Sequence, residues 1–312
     1  MFFRIHRALI CAGLLCALFP LASSASAGAN APAPRETTAE AGNGAAAPAG
    51  ADSYLTLQRR LIDTFREHES SVVKVFASHQ PQSEGGSPLV YVGTGFFISK
   101  DGLVLTNANV TAGAARIRIV YDEVEYLAEP LGHDSRTNVS LLKAVNLPDD
   151  FTFLRLADSA RPLEIGTLLI AITCELGLEP GPVMGMVKGR DTHYGQIAHP
   201  TVYLRVDLPS DGGEGGAPVF DLNGRLVGMS IASLPDIRSS YILPARAVSR
   251  VFEDLLLQGK VSYAWLGIEA AQQADRAEGP RHVGQDVGEG SPAAEAGLKE
   301  GDVVRQLGEY ET

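Results

Sequence analysis

Short apolar, β-branched and aromatic runs punctuated by glycine and proline constrain this chain more than any other feature. Residues 72–77, 95–99, 103–107, 116–121, 140–145, 167–173, 183–187, 203–206, 218–221, 226–231 and 241–243 each read as a strand bounded by turn residues. So many short strands at close spacing suit an all-β barrel or sandwich. Residues 245–257 follow as a helix, with Val248, Val251, Phe252, Leu255 and Leu256 forming one apolar stripe that closes this region.

The segments before the strands have different compositions. Arg4 and Arg7 precede an apolar run over residues 8–21, and Ala25-Ser26-Ala27 supplies a small-x-small pattern, so residues 1–27 read as a cleavable export signal. The run falls short of the roughly 20 residues that span a bilayer, which makes a retained anchor the weaker alternative. Residues 28–52 are dominated by Ala, Gly, Pro and Asn and cannot bury enough apolar surface to offset ordering entropy, so they read as a disordered linker. Asp52 or Ser53 then caps a helix whose Tyr54, Leu57, Leu61 and Phe65 recur at helical spacing. That stripe either packs on its own domain or docks a sister subunit.

Charge narrows the partners. The chain carries 26 Lys and Arg against 37 Asp and Glu, a net charge of -11, which argues against nucleic acid held by its phosphates. Loss of Arg4 and Arg7 with the leader makes the exported form more acidic still, and the destination is periplasmic or secreted. Of the three cysteines, Cys11 and Cys16 lie in the leader, leaving Cys174 as one thiol and no disulfide framework.

Gly93-Thr94-Gly95-Phe96-Phe97-Ile98-Ser99-Lys100-Asp101-Gly102, then Leu105-Thr106-Asn107, Asp134-Ser135-Arg136-Thr137, Leu141-Leu142-Lys143 and Gly213-x-x-Gly216-x-Pro218 carry a resemblance. The chain resembles the HtrA (DegP-like) family of trypsin-like serine proteases from about residue 72 to 257. The resemblance implies two six-stranded β-barrels with the working cleft between them, followed by a PDZ domain, and no cofactor. It implies a protease domain over residues 53–258, including the N-terminal helix, and a PDZ piece over residues 259–312. A trimer through the N-terminal segment and the first barrel is a further implication.

The same alignment puts the family's chemistry in doubt. A serine protease needs a hydroxyl nucleophile, an imidazole that takes its proton, and a carboxylate that orients the imidazole. Where the family has x-His-Val after Leu-Thr-Asn, this chain has Ala108-Asn109-Val110; where the family has Arg-Thr-Asp, it has Arg136-Thr137-Asn138. The family's Gly-Asn-Ser-Gly-Gly-Pro becomes Gly213-Glu214-Gly215-Gly216-Ala217-Pro218, so the nucleophile position is Gly215. An amide accepts no proton near neutral pH and glycine has nothing to attack with. Gly213 and Gly215 would retain a remnant of the oxyanion hole, beside a Glu214 carboxylate that opposes its use.

Substitute residues are few. Ser210 lies five positions before Gly215, too far in an extended chain; His133 reads as a surface residue; Cys174 reads as a small buried apolar residue after a strand. His193 and His199 flank an expected solvated loop with Asp191 as the only close carboxylate, which is too little for a metal site, so no metal is expected.

After the barrels, Trp265-Leu266-Gly267-Ile268 resembles the carboxylate-binding loop of an HtrA-type PDZ domain, and the run from Gly290 through Ala296-Gly297-Leu298 to Gly301-Asp302-Val303-Val304 resembles its short helix and next strand. Such a loop receives a peptide C-terminus, with the following strand pairing to the peptide. The chain stops at Thr312, roughly 40 residues before the resemblance would have a PDZ domain end. Two function classes follow. One is an exported pseudoprotease that binds peptides or unfolded proteins, or modulates an active HtrA-type sister subunit. The other is an active serine-type endopeptidase with a relocated or non-standard site.

Overall fold

Strands with apolar residues on both faces must be covered on both, and closing a sheet on itself leaves one face for a second such barrel. The computed structural model of the protein shows this arrangement, and describes residues 51–81, 86–156, 163–195, 197–209, 215–275, 279–307 and 310–311. The expected leader and nearly all of the linker lie outside them.

The first barrel is built from β1 (Val72–His79), β2 (Leu89–Phe97), β3 (Leu103–Asn107), β4 (Arg116–Tyr121), β5 (Val124–Asp134) and β6 (Val139–Ala144). They close antiparallel in the order β1-β2-β3-β6-β5-β4, with β4 pairing back to β1. The second uses β7 (Leu168–Thr173), β8 (Gly181–Tyr194), β9 (Ile197–Val206), β10 (Pro218–Asp221), β11 (Leu226–Leu234) and β12 (Ser239–Pro244). Its closed order is β10-β11-β12-β9-β8-β7. The all-β, two-barrel fold expected from the sequence is the observed one.

Side-chain alternation sorts residues between two destinations. In the first barrel Val73, Val75, Phe97, Val104 and Leu142 fill the lumen, while their neighbours Val72, Phe96, Leu105 and Leu141 point outward. Those outward residues meet Ile172, Phe220, Met229 and Leu243 of the second barrel in one shared core. Full burial of each such side chain contributes about 1.5–3 kcal/mol, so the cleft is set by a packed interface. Helix α1 is Ala51–His68; α2, a single turn, is Ala108–Thr111; and α3 is Ala245–Gln258, which lays Val248, Val251 and Leu255 on this core.

Three sequence expectations change. β5 was not anticipated: it is 11 residues long with mostly exposed positions and a register shift at Pro130, so its alternation lacks an apolar face to signal it. His193 and His199, expected in a loop, lie on β8 and β9, a hairpin much longer than its apolar stretches. Helix α1 includes Ala51 and Asp52, assigned to the linker by composition. Its C-terminal half packs: Thr64 is buried, Phe65 touches the shared core and His68 stacks on Phe220 at 4.5 Å. Its N-terminal half does not, and Tyr54 is 78% exposed.

Beyond α3 a small antiparallel sheet has β13 (Ile268–Asp275), β14 (Gly279–Val287) and β15 (Val303–Val304), with the one-turn helix α4 (Pro292–Glu295) between the last two. The strands β16 (Gln306–Leu307) and β17 (Tyr310–Glu311) pair as a separate hairpin.

Candidate functional site

The end of β3 and the turn before β6 bring Asn107, Asn109 and Asn138 together. Helix α2 follows β3 directly, and its first N–H groups have no partner within so short a helix. Asn138 supplies them: its backbone carbonyl accepts from Ala108 N at 3.0 Å and its Oδ1 accepts from Asn109 N at 2.8 Å. Asn138 has φ +58, a left-handed conformation that asparagine tolerates better than most residues. Its Nδ2 donates to Ile231 O on β11 at 2.7 Å, which ties the first barrel to the second across the cleft. The Asn109 side chain itself is exposed.

The preceding turn is held by a carboxylate. Asp134 Oδ2 accepts from Thr137 N at 2.9 Å, from Thr137 Oγ1 at 2.5 Å, and from Tyr263 Oη at 2.5 Å. The Arg136 guanidinium lies 4.7 Å from the centre of the Tyr263 ring. Burial first, then the neighbouring Asp134, pushes the Tyr263 hydroxyl well above the usual tyrosine range, so it stays a donor. This carboxylate near Asn138 is therefore occupied in holding the turn and the segment after α3.

Gly215 lies opposite. Its carbonyl accepts from Thr94 N at 3.0 Å, and the next residue, Gly216, has φ +94 and donates from its N–H to Ser230 O at 2.9 Å. A Cβ at Gly215 would come within 2.6 Å of Asn107 Nδ2. Asn107 is 2% exposed; its Nδ2 donates to Ile231 O at 3.4 Å, and its Oδ1 is buried without a partner. The amide of Asn107 thus fills the space a side chain at 215 would enter. Asn107 was quoted in the family motif but not singled out as a site residue; the absence of a side chain at 215 was the available signal. Gly213, Glu214 and Ser210 lie outside the described residues.

Among the described residues the arrangement brings Asn109, Asn138 and Gly215 to one region between the barrels, and none of these three carries an ionisable side chain. Cys174 is fully buried, and burial pushes its thiol up to about 12, so it holds its proton. His133 is exposed. His199 stacks on Tyr203 at 4.2 Å, and burial lowers its proton affinity; Asp191 accepts from Arg205 Nε and Tyr241 Oη, both at 2.9 Å. Among the described residues no three metal-binding side chains converge.

In the C-terminal sheet, Trp265 and Leu266 are exposed and Gly267 has φ +72. The carbonyls of Leu266 and Gly267 accept from Ala293 N at 3.0 Å and Gly288 N at 2.8 Å. Those bonds turn the carbonyls toward α4 and its Ser291 cap, just before Ile268 enters β13.

The family model for a trypsin-like peptidase domain matches residues 93–229. A probable periplasmic serine endoprotease DegP-like from Rhizobium meliloti (strain 1021) is 31% identical over 239 residues, 73% of this chain and 47% of that protein. A protein of the same description from Marinomonas sp. (strain MWYL1) is 31% identical over 259 residues, 77% of this chain and 54% of its own. The chain has the trypsin fold and is similar in sequence to DegP-like proteases. It spans about half the length of the curated relatives it matches. The solved structure described as HtrA-type protease AlgW with tripeptide superposes with a TM-score of 0.68 at 22% identity, over 80% of this chain and 84% of that one. That match extends the shared fold across most of both chains.

Proposed function

We propose that this chain is an exported HtrA-like pseudoprotease that holds peptides or unfolded segments, or regulates an active sister subunit, without cleaving them. The observation that carries the reading is the absence of a nucleophile and a base where the family's motif has them: Gly215, Asn109 and Asn138 bring only amides and backbone to the cleft. Loss of the nucleophile or the base alone costs on the order of a millionfold in a serine protease of unrelated fold. An oxyanion-hole remnant at Gly213 and Gly215 does not replace that chemistry.

The binding reading rests on what survives. Both barrels are closed, the relatives are named periplasmic serine endoproteases, and a structural neighbour is described with a tripeptide. The same logic assigns residues 259–312 to part of a PDZ domain, with Trp265, Leu266, Gly267 and Ile268 as its carboxylate loop, and places the exported chain in the periplasm. The exposed N-terminal half of α1 suits a homo-trimer or a mixed oligomer; light scattering that finds only a monomer across micromolar concentrations removes that part.

Casein cleavage decides between a binding protein and an active endopeptidase. The exported chain, residues 28–312, is expected to leave unfolded casein intact, beside a version carrying Asn109→His, Asn138→Asp and Gly215→Ser. Cleavage by the native chain, with labelling by an active-serine reagent, overturns the pseudoprotease reading in favour of a relocated nucleophile.

A further inference from the structure

The connection from β7 to β8 crosses from the second barrel onto the first. Cys174 N donates to Thr94 Oγ1 at 2.8 Å, and Thr94 N in turn donates to Gly215 O, so the base of this strap is fastened one residue from the cleft centre. Gly177 lies flat on the first barrel: a Cβ there would meet the Phe76 ring at 3.0 Å and Val92 at 3.5 Å. Beyond it Glu179 pairs with Lys74 of β1. A strap pinned at three points is not loosely held.

What it displays is costly for the fold alone. Leu176 sits at φ 48, ψ 22, a left-handed conformation that strains a side chain such as leucine, whereas glycine or asparagine adopts it readily. Burial does not offset the strain, because Leu176 is 75% exposed; Leu178, two residues on, is 64% exposed. The strand leaving the strap adds Met184 and Met186, also exposed, and methionine adapts to varied apolar partners. Strain retained at an exposed apolar residue marks functional segments more often than structural ones. Glu175, next to Leu176, is exposed on a chain of net charge -11, while Glu179 on the far side is engaged by Lys74.

We infer that the strap is a peptide-recognition element whose Leu176 and Leu178 receive the apolar residues of an extended polypeptide flanked by lysine or arginine. This rests on the binding reading above and names the ligand class for it. The apolar contact supplies affinity, and Glu175 favours a basic flank by charge complementarity, an effect that salt screens.

The test is fluorescence anisotropy on the full chain with two labelled extended peptides that share a Leu-Phe centre, one flanked by lysines and one by glutamates. The lysine-flanked peptide binds more tightly, and the difference narrows as salt is raised. Leu176→Asn with Leu178→Ser weakens it about tenfold or more, whereas Leu257→Ser, at an 80% exposed leucine on α3, leaves it unchanged. Leu176→Asn suits the left-handed backbone, so its melting temperature holds; Leu176→Gly repeats the arm with a second residue that suits positive φ. Native binding that persists undiminished in the double variant overturns the strap assignment and leaves the binding reading standing. No binding of either peptide by the native chain overturns both. Unchanged peptide affinity with a lower oligomer mass in the double variant overturns the inference and gives the leucines to self-association.

Discussion

The cleft centre and the Asp191 network of the second barrel are both polar sites built on barrel strands, yet they hold opposite chemistry. In the cleft, Asn107 and Asn138 donate to one backbone carbonyl, and Asn138 accepts from two backbone N–H groups. None of these groups exchanges a proton near neutral pH. In the barrel wall, Asp191 takes Arg205 and Tyr241, burial followed by Asp191 pushes the Tyr241 hydroxyl up to about 12, and His199 is lowered by burial. Acid–base enzymes concentrate shifted ionisable groups in the cleft. Here the shifted groups serve a structural network, and the described residues at the cleft centre, Asn107, Asn138 and Gly215, offer geometry without titration.

Two adjacent glycines sharpen the difference most. Gly216→Ala places a methyl 2.2 Å from the backbone oxygen of Thr94 at φ +94, where nothing can yield, and is expected to cost about 3 kcal/mol or more. Gly215→Ala meets only the Asn107 amide, held by one long hydrogen bond, so rotation relieves it and the cost stays below about 1.5 kcal/mol. Urea midpoints measure both; equal losses would mean that Gly215 is fixed by the fold and is no vacated nucleophile position.

The next effect comes from charging the cleft. Asn138→Asp removes the Nδ2 donor and sets a carboxylate oxygen against Ile231 O, at an expected cost of about 1–3 kcal/mol. Asn109→His in the same chain should recover part of that loss by donating to the new carboxylate, seen as a favourable coupling in a double-mutant cycle. Strict additivity would show that 109 and 138 do not face one another. Tyr263→Phe, which takes one donor from Asp134, is expected to cost only about 1 kcal/mol, because Thr137 still holds the turn.

Much of this was legible in the residues. The barrels were, because Val73 against Val72 and Phe97 against Phe96 alternate between lumen and interface, and each half of that alternation is apolar. β5 was not, since its residues are mostly exposed and only the ladder to β4 and β6 makes them a strand. The replaced residues at 109, 138 and 215 could be read by motif, but not their consequence. That Asn107 occupies the space beside Gly215, and that Asn138 caps α2 from another segment, are long-range facts that no local pattern carries. The strap over residues 174–180 carries no local signal, because its cross-barrel anchors Thr94, Phe76 and Lys74 all come from distant sequence.

The smallest expected effect is graded with pH and tests the charged half of the comparison. His199, ringed by Tyr203 and Tyr241 with Asp191 and His193 nearby, holds its proton less tightly than the unfolded chain does, chiefly through burial. The unfolded state then binds more protons below about pH 6.5, so stability falls as the solution is acidified and is unaffected above that value. Asp221 adds a lower limb. Burial raises its proton affinity, but Arg225 and the N–H groups of Arg225 and Asn223 outweigh it and leave the carboxyl below its ordinary range. Its stabilisation is complete above about pH 4 and is lost as pH falls through the lower folded value. His199→Phe keeps the stack on Tyr203 and removes the titration, so the urea midpoint of the variant should stay flat from pH 8 to pH 5 where that of the native chain declines. Parallel decline in both would move the acid sensitivity out of this network.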